Sequence, residues 1–308
     1  MGPITSFSLS SGDLMADRRF EWARNALEQG DLAAAADLLV QTLELAPAYA
    51  SAWFALGEVR DRLGERGGAV DAFRRARESD PDDRHGATLH LMRLGALPAG
   101  AMPAGYVRAL FDQFAADFER TLSEGLSYRA PELLLHAVAL ARIARRMKFD
   151  AVLDLGCGTG LAGAAFRPFT EQLTGVDLSG GMIAKARTKG IYDRLIEGDV
   201  AQFLAAEAGL RGYNLVLAAD VFVYFDDLTP VLQAVARILS PGGLVGFTVE
   251  THANDGVLLR ETLRYAHAAE HVRAAIGSAG LKLLGLDSAS TRTEKSVPVP
   301  GLVVVAAL

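Results

Sequence analysis

The sequence predicts an α/β protein in which a doubly wound, mainly parallel sheet of seven strands follows an all-helical repeat unit. Three observations carry this. Residues 16–49 and 50–83 align at a period of 34, placing Gly30 over Gly64, Ala35 over Ala69, Leu39 over Phe73 and Pro47 over Pro81. From Ala151 onward, short apolar runs alternate with helical stretches, the pattern of βαβ units. Between the two regions, residues 97–105 are rich in Pro and Gly and break the helical pattern. With 308 residues, half of them hydrophobic, the chain can bury one full α/β core and one smaller one.

Residues 1–15 are expected to be a flexible tail, 16–97 the helical repeat unit, 98–105 a linker and 106–308 the α/β domain. Small residues in the repeats let paired helices approach, large ones fill the groove, and proline ends the second helix. Two repeats cannot bury their faces alone, since about three are usually needed, so they should dock on a helix within 84–96. After the linker, amphipathic helices are expected near 106–120 and 131–147, the first with Phe111, Phe114 and Phe118 at helical spacing. Strands are expected at 151–155, 173–177, 194–197, 214–219, 243–249, 282–287 and 301–307, with helices between them. The helix at 227–239 should stop at Ser240-Pro241-Gly242-Gly243. No helix fits between the last two strands, so these should pair antiparallel.

Charge and composition exclude several functions. The net charge of −6 and the lack of a basic stripe argue against nucleic acid as partner. Met1 to Gly12 show neither a basic n-region nor an apolar h-region, and no run of about 18 apolar residues occurs, so neither export nor a membrane span is expected. The lone Cys157 cannot form an internal disulfide, which suits a cytoplasmic protein. The pattern His267-Ala268-Ala269-Glu270-His271 would set two imidazoles one helical turn apart, but with no third ligand in view no metal is expected.

The strongest chemical signal is Asp154-Leu155-Gly156-Cys157-Gly158-Thr159-Gly160, which follows a strand and opens a helix. A dinucleotide fingerprint would need glycine at 161, where leucine stands, and a Tyr-x-x-x-Lys pair is missing, so a short-chain dehydrogenase is disfavoured. Glycines allow a tight turn and close approach to a ligand, and free N–H groups at a helix start suit a carboxylate as well as a phosphate. Further acidic residues, Asp177, Asp199 and Asp220, close successive strands 21 to 23 residues apart, which lines all four along the carboxyl edge of one sheet.

Asp154 to Gly160 resembles motif I of class I S-adenosylmethionine-dependent methyltransferases, and residues 106–308 resemble the Rossmann-like domain of that family. Trp53, Leu56, Gly57, Ala69, Phe73, Ala76 and Pro81 resemble a tetratricopeptide repeat, so the whole chain is similar to methyltransferases that carry such repeats. The resemblance implies S-adenosylmethionine as cofactor and S-adenosylhomocysteine as product. It implies that Asp154, Leu155, Gly156, Gly158 and Gly160 cradle the amino-acid end. Asp177 would accept hydrogen bonds from the ribose hydroxyls, with Leu178 beside it and Met182 against the adenine. Asp199 would accept the adenine amino group, Val200 would pack on the ring, and Asp220 would open the loop under the methyl. The segment around Phe111 and Phe114, with Phe222, would form the acceptor pocket or its lid. After Asp220 the sequence reads Val-Phe-Val, unlike the proline-aromatic signature of amino-adenine and glutamine-amide methyltransferases, so a small-molecule O or N acceptor is expected. Tyr224 and His252 are the candidate proton acceptors, needed only if the acceptor is protonated. The repeats would hold a homodimer together or bind a protein partner, and the rival to an enzyme is a protein-binding module that modifies its partner or only senses cofactor.

Overall fold

The structure, a computed structural model, describes residues 10–120, 127–142, 147–210, 212–294 and 296–308. These fall into two compact units, Met1–Leu110 and Phe111–Leu308.

In the first unit, α1 (Leu14–Glu28), α2 (Leu32–Leu45), α3 (Ala50–Arg62) and α4 (Arg66–Ser79) form two helix pairs. Residues 1–9 of the expected tail lie outside the described residues. Helix α1 starts inside that stretch because the Asp13 carboxylate accepts hydrogen bonds from the Met15 and Ala16 amides. Phe20, Leu39, Leu43, Tyr49, Leu56 and Val59 build one core. Gly57 lets the helices close up, since a Cβ there would stand 2.6 Å from the Phe73 ring. A third helix, α5 (Ala87–Arg93), packs Leu91 onto Phe54, Phe73 and Ala76, giving the repeats the neighbour they need. The His90 ring stacks on Phe73, and burial pushes its pKa down to about 4. The next helix, α6 (Ala104–Phe114), begins in this unit. A Cβ at Gly105 would stand 1.9 Å from the Asp82 carbonyl oxygen, so the helix start needs glycine to approach so closely. Tyr106 and Leu110 are buried. The division therefore falls within α6 and not in the Pro/Gly segment.

The second unit contains α7 (Phe118–Arg120), α8 (Ala130–Ala141), β1 (Phe149–Leu155), α9 (Leu161–Phe166), β2 (Thr170–Asp177), α10 (Gly180–Thr188), β3 (Arg194–Glu197), α11 (Val200–Ala206) and β4 (Tyr213–Ala218). It continues through α12 (Thr229–Ile238), β5 (Leu239–Glu250), β6 (Val257–Leu259), β7 (Tyr265–His267), α13 (Ala269–Ser278), β8 (Lys282–Ser288), β9 (Thr293–Glu294), β10 (Val297–Pro298) and β11 (Gly301–Ala307). The main sheet runs β3-β2-β1-β4-β5-β11-β8, with β11 antiparallel to both neighbours. All seven expected strands are present. The crossover reverses between β1 and β4, which puts their carboxyl ends at the ligand-binding position of a doubly wound sheet.

Some boundaries differ from expectation. The helix expected over 106–120 breaks after Phe114 and resumes as the short α7, while the one expected over 131–147 ends at Ala141, and residues 143–146 lie outside the described residues. Ser240 to Gly243 are not a separate turn but an irregular start to β5, where the register with β4 shifts and Gly242 takes a positive φ of 72°. The segment after β5 forms the hairpin β6–β7, which extends the sheet through a Glu250–Ala266 pairing. His267 therefore lies on a strand and His271 on α13, their rings stacked 5.7 Å apart, not one helical turn apart.

Candidate active site

The site grows from β1, whose end carries the buried Asp154. Its carboxylate is 1% exposed, and burial pushes its pKa up to about 7. Oδ2 accepts a hydrogen bond from the Tyr192 hydroxyl at 2.7 Å, while Oδ1 is buried with no hydrogen-bond partner among the described residues. Leu155 is fully buried beneath, and the chain then turns through Gly156, Gly158 and Gly160 at φ of 58°, 54° and 94°. Gly156 is obligatory on space as well, because a Cβ would come within 2.5 Å of Val221. Cys157 packs inside the loop, where burial pushes its thiol well up and removes it as a nucleophile.

From the neighbouring β2, Asp177 reaches the same loop. Its Oδ2 accepts the Gly158 amide and its Oδ1 the Ser179 amide, both at 2.8 Å. Burial raises this carboxyl to about 6 despite those two hydrogen bonds. Each oxygen retains a lone pair, so two ligand hydroxyls fit the group. Leu178 follows, half-buried, and Met182 is fully buried in α10, a packing residue of the helix and not an open wall. Asp199 caps α11 by accepting the Gln202 amide at 3.0 Å, which leaves its second oxygen open beside the buried Val200. Among the described residues, neither Asp154 nor Asp177 has a cationic partner.

The covering segment is pinned at both ends to α10. Asp112 accepts hydrogen bonds from the Ser179 hydroxyl and the Gly181 amide, and Glu119 pairs with Lys189 at 2.6 Å. Phe118 thereby comes within 3.8 Å of where a Gly158 Cβ would stand, and Phe111 meets Phe118 and Tyr224 edge-on at 6.0 and 5.6 Å. Phe114 is half-buried on the same segment.

On the other side of β1 the carboxylates are committed internally. Asp220, with φ of 56°, accepts Thr248 Oγ1 at 2.7 Å, Arg292 Nη1 at 2.9 Å and Thr291 Oγ1 at 3.2 Å. Arg292 also pairs with Glu250, and Arg264 with Glu294 at 2.6 Å. Asp220, expected among the cofactor ligands, is thus held at the loop after β4 by three side chains of its own domain. Phe222, expected in the pocket, is fully buried against Phe225 and Phe247 and belongs to the core. Tyr224 is partly exposed beside Arg264, and both ring nitrogens of His252 are buried without a partner among the described residues. Sequence reasoning missed Tyr192, Arg264 and Arg292, which lie in loops and short strands without a motif. No group of three or more His, Cys, Asp or Glu among the described residues could hold a metal.

Comparison with known proteins agrees with this geometry. Residues 153–245 match a family model described as a methyltransferase domain, and residues 20–84 one described as a tetratricopeptide repeat. A malonyl-(acyl-carrier protein) O-methyltransferase of Enterobacter lignolyticus is 33% identical over 35% of this chain and 42% of its own. Human methyltransferase-like protein 27 is 30% identical over 56% of this chain and 66% of its own. The chain therefore spans less than two thirds of these curated relatives. In fold it is similar to the 1,6-didemethyltoxoflavin-N1-methyltransferase of Burkholderia thailandensis, solved with S-adenosylhomocysteine, at a TM-score of 0.52 and 18% identity over 68% of this chain and 92% of the other. The magnesium protoporphyrin IX methyltransferase of Synechocystis, also with bound S-adenosylhomocysteine, gives 0.52 and 17% over 66% and 98%. By these matches, residues 153–245 are similar to a methyltransferase domain and residues 20–84 to a tetratricopeptide repeat, and the strand order is that of a doubly wound sheet.

Proposed function

We propose that the protein transfers a methyl group from S-adenosylmethionine to an O or N atom of a small-molecule acceptor. The observation that carries this reading is the pair of buried carboxylates, Asp154 and Asp177, at adjacent strand ends without an internal cation, beside a loop of left-handed glycines. Such a pair complements a ligand that brings its own positive charge and two vicinal hydroxyls, and repels a pyrophosphate. The cofactor supplies a methyl already activated on a sulfonium, so the protein's task is orientation and exclusion of water. Asp177 fixes the ribose, Asp154 the ammonium, and Asp199 with Leu178 and Val200 the adenine. Phe111, Phe114 and Phe118 cover the site.

For an acceptor that loses a proton, His252 offers two imidazole nitrogens with no competing partner, and Tyr224 lies on the same aromatic wall as Phe111. Removing the group in use should lower turnover about 10²- to 10⁴-fold with cofactor affinity preserved. The names of the relatives, acting on a malonyl carrier protein in one case and on small heterocycles or porphyrins in others, support a small acceptor and leave its identity to an activity screen. A calorimetric titration with S-adenosylmethionine beside NAD tests the reading. Binding of the first alone is expected, and binding of NAD alone would overturn it.

The repeat match supports one addition: the first unit recruits a protein partner or a second copy, with Leu14, Met15 and Trp22 exposed on α1. Light scattering of the full chain and of one lacking residues 1–110 tests the second possibility.

A further inference from the structure

Tyr192, in the loop between α10 and β3, is surrounded by glycines from three separate elements. A Cβ at Gly160 of the cofactor loop would stand 3.0 Å from its ring, one at Gly163 of α9 would stand 2.2 Å from its hydroxyl, and one at Gly175 of β2 would stand 2.8 Å from its ring. All three positions must be small for the phenol to lie where it does, under the loop and within hydrogen-bonding distance of β1. There its hydroxyl donates to Asp154 Oδ2 at 2.7 Å. The second oxygen, Oδ1, is buried and receives no hydrogen bond from the described residues. A buried carboxylate with one oxygen fixed and the other unpartnered is costly unless a ligand completes it.

We propose that Tyr192 is a positioning residue: it locks the Asp154 carboxylate in the one orientation that presents Oδ1 to the ammonium group of the cofactor's amino-acid moiety. This rests on the cofactor reading above. The hydroxyl has a second consequence, because it also stabilises the ionised form of Asp154. Burial is the largest influence on that carboxyl, followed by the Tyr192 hydrogen bond, which lowers its pKa, and the Asp177 charge, which raises it, with a smaller lowering from the Gly163 amide. The other titratable groups facing it are the Cys157 thiol and the Tyr128 phenol, both neutral at working pH. Without the hydroxyl, Asp154 should hold its proton to higher pH, and the ammonium ligand should bind less well at neutrality.

The test is calorimetric titration of S-adenosylhomocysteine into the full-length protein between about pH 6 and 8.5, for wild type, Tyr192→Phe, Asp154→Asn and the double variant. Tyr192→Phe retains the ring that fills the glycine-lined space. The expected result is about a tenfold loss of affinity at pH 7, a rise of at least about half a unit in the midpoint of the pH profile, and no further loss when Tyr192→Phe is added to Asp154→Asn. Tyr192→Phe profiles that superimpose on wild type, or a loss equal at every pH and undiminished in the Asp154→Asn background, would make Tyr192 a space-filling residue and overturn the proposal. Should Tyr192→Phe fail to fold, NMR of the Tyr192 hydroxyl in the wild type decides: a phenol signal that does not shift as Asp154 titrates contradicts the proposal. Wild type that binds no S-adenosyl ligand at any pH overturns the cofactor reading and this proposal with it. Wild-type binding with an unaltered Tyr192→Phe variant overturns this proposal alone.

Discussion

Two halves of one sheet edge end in the same way and behave differently. At β1 and β2, Asp154 and Asp177 are buried, face each other's charge and have no cation among the described residues, so their carboxyls are held at about 7 and about 6. At β4 and β5, Glu250 is equally buried and Asp220 half-buried, and the two share Arg292. Strand-end carboxylates therefore meet two environments in one domain. One pair lacks a cation among the described residues and under the proposed function receives a cationic ligand, and the other is tied to Arg292. Burial alone does not distinguish them, and the presence of an internal guanidinium does.

The largest effect is expected on the neutralised side. Arg292→Met takes the only ion-pair partner among the described residues from the half-buried Asp220 and the shortest one from the buried Glu250, which keeps Arg260 and Arg264 at 3.6 and 3.8 Å, and should destabilise the fold by about 3 kcal/mol, read as a large fall in chemical-denaturation midpoint. A near-native midpoint would mean that the network is solvated and the contrast false. On the ligand side, Asp177→Ala should weaken S-adenosylmethionine binding by about 1 to 3 kcal/mol in calorimetry, because two hydroxyls lose a charged acceptor. Gly158→Val should also abolish binding while circular dichroism stays unchanged, since a β-branched residue is strained at a φ of 54°.

How far the sequence disclosed this contrast depends on how local each signal is. The glycine loop and the acidic residues at 154, 177, 199 and 220 were legible because strand ends and turns are written in adjacent residues. So was the antiparallel final strand, from the short spacing after 287. The fates of Asp220 and Phe222 were not legible. Asp220 meets an arginine 72 positions further on, in a stretch without periodicity, and Phe222 takes its burial from β5. Tyr192 was hidden for the same reason, being defined by three glycines that only the fold assembles.

Stability against pH sharpens the comparison further. Asp154 titrates higher in the folded protein than in the unfolded chain, so its contribution to stability is complete below about pH 4 and is lost as pH rises through about 7. Asp154→Asn should therefore stabilise the ligand-free protein at pH 8 on the order of 2 kcal/mol, an advantage that shrinks toward pH 5, while weakening cofactor binding. Equal midpoints at pH 8 would show that the carboxylate already has a counter-charge. The smallest effect is expected for Asp220→Asn, which should change cofactor affinity by less than about threefold, because that carboxylate is occupied by Arg292, Thr248 and Thr291. A loss as large as that of Asp177→Ala would return Asp220 to the cofactor ligands.

The central claim, that the β1–β2 half is built for a cation, is tested most directly by counting protons released when S-adenosylmethionine binds. Calorimetry in buffers of different ionisation enthalpy measures this. Because a cationic ligand requires ionised carboxylates, binding at about pH 6.5, where the ligand's own amino group is already protonated, should release between about half a proton and one proton per site. No release at that pH, or proton uptake there, would contradict the account.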